Sequence, residues 1–207
     1  MRWTSSKLSL FLISLAGLAG SACQSGGVGD PCIPEDEYFP TFSGYSETEV
    51  NVESKSFQCE TRVCLVANFK GRVSCPYGQA GDPTTGIVSS GLGPDQRCYL
   101  PGTAAADANE VTVPVNPQLF TRRPDSAVYC SCRCAGSDSN AKYCSCPSGF
   151  VCQNLVPTGL SKSSTELAGS YCIKDGTQVT DPNRIAANPC SEGPPANCGV
   201  PHPDGLN

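Results

Sequence analysis

Residues 128–134 read Val128-Tyr129-Cys130-Ser131-Cys132-Arg133-Cys134, and the chain repeats Tyr129-Cys130-Ser131-Cys132 further on as Tyr143-Cys144-Ser145-Cys146. On an extended strand alternate side chains share a face, so Val128, Cys130, Cys132 and Cys134 point one way and Tyr129, Ser131 and Arg133 the other. Gly136 to Ala141 is a polar turn, and the stretch predicts a hairpin whose inner face is largely sulfur. Around it lie Cys152, Cys172, Cys190 and Cys198, which complete a late group of nine cysteines.

An earlier group holds five: Cys32, Cys59, Cys64, Cys75 and Cys98. Within it, residues 62–75 alternate β-rich arms about Phe69-Lys70-Gly71, and this pattern predicts a second hairpin in which a four-residue turn sets Cys64 opposite Cys75. Between the groups, residues 99–127 contain no cysteine and are rich in Pro and Ala, as a linker or surface excursion would be. Val111, Val113 and Val115 alternate like a strand there, with Pro114 confining it to an edge. Both cysteine groups are odd in number. If all fourteen pair, at least one bridge joins the halves.

The chain holds 21 glycines and 18 prolines, enough to cut regular elements short. The expected fold is therefore small, disulfide-rich and mainly β and loop, with short hairpins and little helix. The divisions are 1–22 as an export signal, 23–31 as a flexible tether, 32–98 and 128–198 as two covalently joined cysteine-rich parts around the 99–127 spacer, and 199–207 as a loose tail.

The first residues have the three zones of a secretory signal. Arg2 and Lys7 are positive, Leu8 to Gly20 is apolar, and small residues lead to Cys23. The apolar run is shorter than the roughly 20 residues a spanning helix needs. Removing 22 of the 207 residues leaves 185, and losing Arg2 and Lys7 moves the formal charge from −5 to −7. An acidic chain without a basic cluster argues against nucleic acid as a partner and against electrostatic binding to anionic lipid. Fifteen cysteines in 185 exported residues reach the density of a disulfide scaffold.

The segment Ala19-Gly20-Ser21-Ala22-Cys23 resembles the lipobox of bacterial lipoproteins, with Gly20 where Leu is usual. The resemblance implies that Cys23 is lipidated and becomes the N-terminus after cleavage, and Gln24 after it implies the outer membrane. Two or three acyl chains anchor stably where one does not. Lipid on Cys23 leaves fourteen cysteines, an even number. The alternative is a soluble secreted protein in which Cys23 forms a disulfide. Gly29-Asp30-Pro31-Cys32-Ile33-Pro34-Glu35, residues 71–78 and residues 143–152 also resemble segments of uncharacterised cysteine-rich bacterial lipoproteins. The last resembles the end of an epidermal-growth-factor-like module too. These likenesses imply an envelope location and no particular function.

Closely spaced cysteines invite a soft metal, but an exported chain favours disulfides and the usual partner histidines are missing, so no metal or other cofactor is expected. No Cys-x-x-Cys occurs, and the only histidine, His202, lies in the tail. No catalytic constellation is recognisable, and the chain reads as non-catalytic. The acidic run Glu35-Asp36-Glu37 after Pro34 reads as a solvated first helical turn. Tyr38, Phe39, Phe42 and Tyr45 crowd together behind it, either as contact anchors for a protein or glycan partner or as packing over the first cysteine group. The leading expectation is a lipid-anchored envelope protein with a structural or binding role. The alternative is an envelope enzyme or protein inhibitor acting through its loops.

Overall fold

A computed structural model describes residues 26–81, 88–89, 97–157, 167–186 and 188–190. Short strands and loops dominate: β1 (Val50–Glu53), β2 (Val63–Ala67), β3 (Ala80–Gly81), β4 (Val88–Ser89), β5 (Val128–Ser131), β6 (Arg133–Ala135), β7 (Phe150–Val156) and β8 (Gly169–Lys174). The one α-helix among the described residues, α1 (Pro124–Ala127), is a single turn. Pro124 starts it at the first helical position, where a missing N–H costs nothing, and β-branched Val128 ends it by entering β5. The fold is thus mainly β and loop, held by many disulfides.

Two three-stranded antiparallel sheets form the body, in the orders β1-β2-β5 and β6-β8-β7, and β3 pairs with β4. Alternation along β2 and β5 decides the layering. Leu65, Ala67 and Tyr129 face Tyr171 and Ile173 of the second sheet. Cys64, Val66, Val128 and Cys130 face the other way, onto Cys32, Tyr45, Cys59 and Phe69. Both faces of the first sheet are therefore covered, and β5 is buried along its whole length. The chain passes from one sheet to the other at Cys132, whose carbonyl accepts from Cys172 N at 3.1 Å.

Both expected hairpins are corrected by this arrangement. Only one arm of the 62–75 stretch is a strand, and β2 pairs with β1 and β5 instead of with residues 72–75. The chain leaves at Asn68, with φ 54°, and Gly71 pairs with Tyr45. Cys64 and Cys75 consequently bond to Cys32 and Cys98, not to each other. In the later stretch, β5 and β6 belong to different sheets, and residues 143–146 form no strand. A bridge from Cys132 to Cys144 and a bond from Cys144 N to Arg133 O hold that segment alongside instead. Burying one more strand of hydrophobic β8 between β6 and β7 is worth more than a two-stranded ribbon, which is marginal alone.

The 99–127 stretch is also no linker. Val111, Val115, Gln118, Leu119, Arg122 and Ala127 are buried, and Val111 and Val115 pack with Cys75 and Cys98. Few ladders reach this region, so buried side chains satisfy carbonyls within it and in the segments packed against it. Gln79 Nε2 donates to Val111 O and Val113 O, both at 2.7 Å, and its Oε1 accepts from Cys98 N at 2.8 Å. Gln118 Nε2 donates to Arg72 O at 2.7 Å. Arg122 donates to Ala67 O, Asn68 O and Thr177 O. Gly71, with φ 85°, lies so close to Asn116 O that a Cβ there would collide with it.

Candidate functional site

Cys23 and Cys198 lie outside the described residues, as do the sequence's loose-tail and export-signal assignments. The tether assigned to 23–31 is corrected from Gly26 onward. Gly26 N donates to Gln58 O at 2.7 Å, and Glu60 N donates to Gly26 O at 2.8 Å. Further on, Gly29 N donates to Cys130 O and Cys130 N to Asp30 O, both at 2.8 Å. The glycines serve contact rather than flexibility. Gly29 has φ 99°, and a Cβ on it would come within 2.7 Å of the Phe150 ring. The chain is therefore fastened to the domain three residues after Cys23.

The disulfides are Cys32–Cys64, Cys59–Cys130, Cys75–Cys98, Cys132–Cys144, Cys134–Cys152 and Cys146–Cys172. Cys190 is disulfide-bonded as well. Cys59–Cys130 links the early and late cysteine groups. Sulfurs of different bridges also touch: Cys172 Sγ lies 3.6 Å from Cys132 Sγ and 3.7 Å from Cys144 Sγ. Three-sulfur groups such as Cys32, Cys59 and Cys130 have the spacing of metal ligands. Their sulfurs are spent in S–S bonds, and only reduction would make them the thiolates that soft metals take.

The aromatic quartet divides. Tyr45 is buried and stacks edge-on against half-buried Phe42, with ring centroids 4.8 Å apart, over the first cysteine group. Tyr38 and Phe39 remain exposed, at 46% and 54%. Sequence reasoning passed over a more exposed aromatic. Phe57 is 82% exposed, with the Arg62 guanidinium 4.1 Å above its ring centroid. Its signal was a lone aromatic among polar residues, in Lys55-Ser56-Phe57-Gln58.

The acidic turn departs from expectation as well. Residues Glu35–Tyr38 form a 3₁₀ turn after Pro34, but Glu37 is fully buried rather than solvated. Its carboxylate accepts from Val73 N at 2.6 Å, Ser74 N at 2.9 Å and Ser74 Oγ at 2.7 Å. Arg72, also fully buried, donates to the carbonyls of Glu37, Phe39 and Phe42. Burial raises the Glu37 pKa, against the pull of the Ser74 and Val73 hydrogen bonds and the Arg72 charge. Burial likewise pushes the Tyr45 phenol far up, aided by Asp36, whose carboxylate accepts from Tyr45 Oη at 3.1 Å. Glu37 and Arg72 clamp residues 37–42 onto 72–74, with hydrogen bonds to backbone groups and to the Ser74 hydroxyl. No hydrophobic periodicity marks them, because Glu37 lies in a four-residue turn and Arg72 beyond the end of β2.

No family model, characterised protein or solved structure matches the chain. Among the described residues no helix is long and apolar enough to cross a membrane. The dense disulfides identify an extracytoplasmic protein.

Proposed function

We propose that the chain is exported, cut before Cys23 and held in the bacterial envelope by lipid on that cysteine, where its disulfide-built domain has a structural or binding role rather than a catalytic one. The cysteine count carries this reading. Six bridges use twelve of the fifteen cysteines, and Cys190 is bonded too. Cys23 and Cys198 remain for one partnership with Cys190, so one sulfur is left over. Lipid on Cys23 gives Cys198 to Cys190 and leaves no free thiol in an oxidising compartment.

The signal-like residues 1–22 and the lipobox-like 19–23 support the same assignment, and Gln24 favours the outer membrane. The exposed Tyr38 and Phe39 are the contact anchors this reading offers a protein or glycan partner. The test is radiolabelled palmitate in the native host. The wild-type chain incorporates label and fractionates with membranes, and Cys23→Ser loses both. Equal labelling of the variant overturns the proposal.

A further inference from the structure

Resting on that anchor, we propose that the domain sits directly against the membrane surface through the loop at residues 54–62, with Phe57 inserted at the headgroup boundary and Arg62 and Lys55 beside it facing lipid phosphates. The length of chain outside the described residues argues for this. Gly26 is hydrogen-bonded to Gln58 and Glu60 and forms a parallel bridge with Cys59. Three residues extend at most about 11 Å, so an acylated Cys23 holds this loop within that distance of the headgroups. A domain swinging on a long tether would present no fixed face. This one is fastened beside its anchor.

The loop has the chemistry of a membrane interface. Phe57 is the most exposed large hydrophobic side chain among the described residues, at 82%. Arg62 adopts φ 65°, a conformation unusual for a residue with a side chain, and is held there by Arg62 N donating to Cys59 O at 2.9 Å and Ser56 N to Arg62 O at 3.0 Å. That turn places the guanidinium over the Phe57 ring, where it also reaches Lys55 O at 3.5 Å. An aromatic with an arginine over its ring and an exposed lysine two residues before it in the chain suits the boundary between acyl chains and phosphates. Glu60 is the acid beside them, and the whole chain is acidic, so the loop orients an anchored domain and does not recruit a free one.

The mature chain offers a clean probe, because the only tryptophan, Trp3, is removed with the signal. Phe57→Trp places a fluorophore on the loop at a position exposed enough to tolerate it. Phe120→Trp is the control, since Phe120 is 41% exposed and Arg122, two residues on, donates to Ala67 O at the opposite end of β2. Both full-length lipidated proteins are reconstituted into phosphatidylethanolamine/phosphatidylglycerol vesicles with and without brominated lipid. Phe57→Trp should shift to the blue and lose about half its emission to the bromines, and Phe120→Trp should keep its emission. Vesicle-bound, palmitate-labelled protein in which the two report alike overturns the membrane face and leaves the anchor standing. Protein that takes up no palmitate and does not bind overturns both.

Discussion

Cys64 and Cys130 stand opposite each other on neighbouring strands, yet each is bonded elsewhere, Cys64 to Cys32 and Cys130 to Cys59. The first bond ties the entering chain to β2. The second spans 71 residues and crosses the cysteine-free stretch. Cutting within residues 101–127 should therefore leave both halves as one species on a denaturing gel without reductant. Cys59→Ser/Cys130→Ser should separate into two bands after the same cut. Closing a loop of this length contributes about 4 kcal/mol in the chain-entropy view, so the double variant should also melt earlier.

Arg72 is a second point of leverage. Its guanidinium serves the carbonyls of Glu37, Phe39 and Phe42 from a fully buried position. An ammonium cannot spread over the same fork of acceptors. Arg72→Lys should lower the unfolding free energy by about 3 kcal/mol, read from the urea midpoint with the disulfides intact. A midpoint within experimental scatter of wild type would mean that water replaces the guanidinium.

Glu37 makes a prediction in pH. Its pKa is raised in the folded protein above the ordinary 4.5, chiefly by burial, so folding favours the neutral acid. The corresponding stability is fully present below about pH 4.5 and is lost as pH rises through the folded value. Glu37→Gln cannot ionise and should lack this component. The wild-type minus variant difference in unfolding free energy should therefore fall as pH climbs from 4 toward neutrality. Urea titrations across that range check it, and a flat difference would count against a buried, burdened carboxyl.

Gly71 links the early part of the chain to the stretch beyond residue 99. Its φ of 85° and its approach to Asn116 O leave no room for a methyl group. Gly71→Ala should cost at least about 2 kcal/mol from conformation and crowding together. Thermal melting of the oxidised protein would show the loss as a lower midpoint.

The class of fold was legible because cysteine spacing, glycine and proline count and short β-rich runs agree. The alternation in 128–130 was also readable, since Val128 and Cys130 do share the face opposite Tyr129. Partner choice was not. Nothing local in Val63–Ala67 says that its neighbours are Val50–Glu53 and Val128–Ser131, because pairing is decided by which faces can be covered at once. Two further misreadings have one cause. In sequence Gly29 reads as slack and Glu37 as solvated, because glycine and acid usually mean those things, and here each is set by a tertiary neighbour: the Phe150 ring for one, Ser74 and Val73 for the other. Phe57 shows how the candidate site was only half readable. Exposure depends on what the rest of the chain leaves uncovered.

The pattern of bridges also bears on how the chain is made. Of the six, only Cys75–Cys98 joins cysteines that follow one another in sequence. A polypeptide emerging N-terminus first presents Cys32 and then Cys59, and an oxidant acting in order of appearance would join those two. Later it would join Cys132 to Cys134. Under that order, reaching the native set requires breaking and remaking bonds, a slow exchange unless an isomerase catalyses it. In a host lacking such an enzyme the chain would accumulate as scrambled isomers, each fully oxidised and none able to close β6, β8 and β7 around the correct sulfurs.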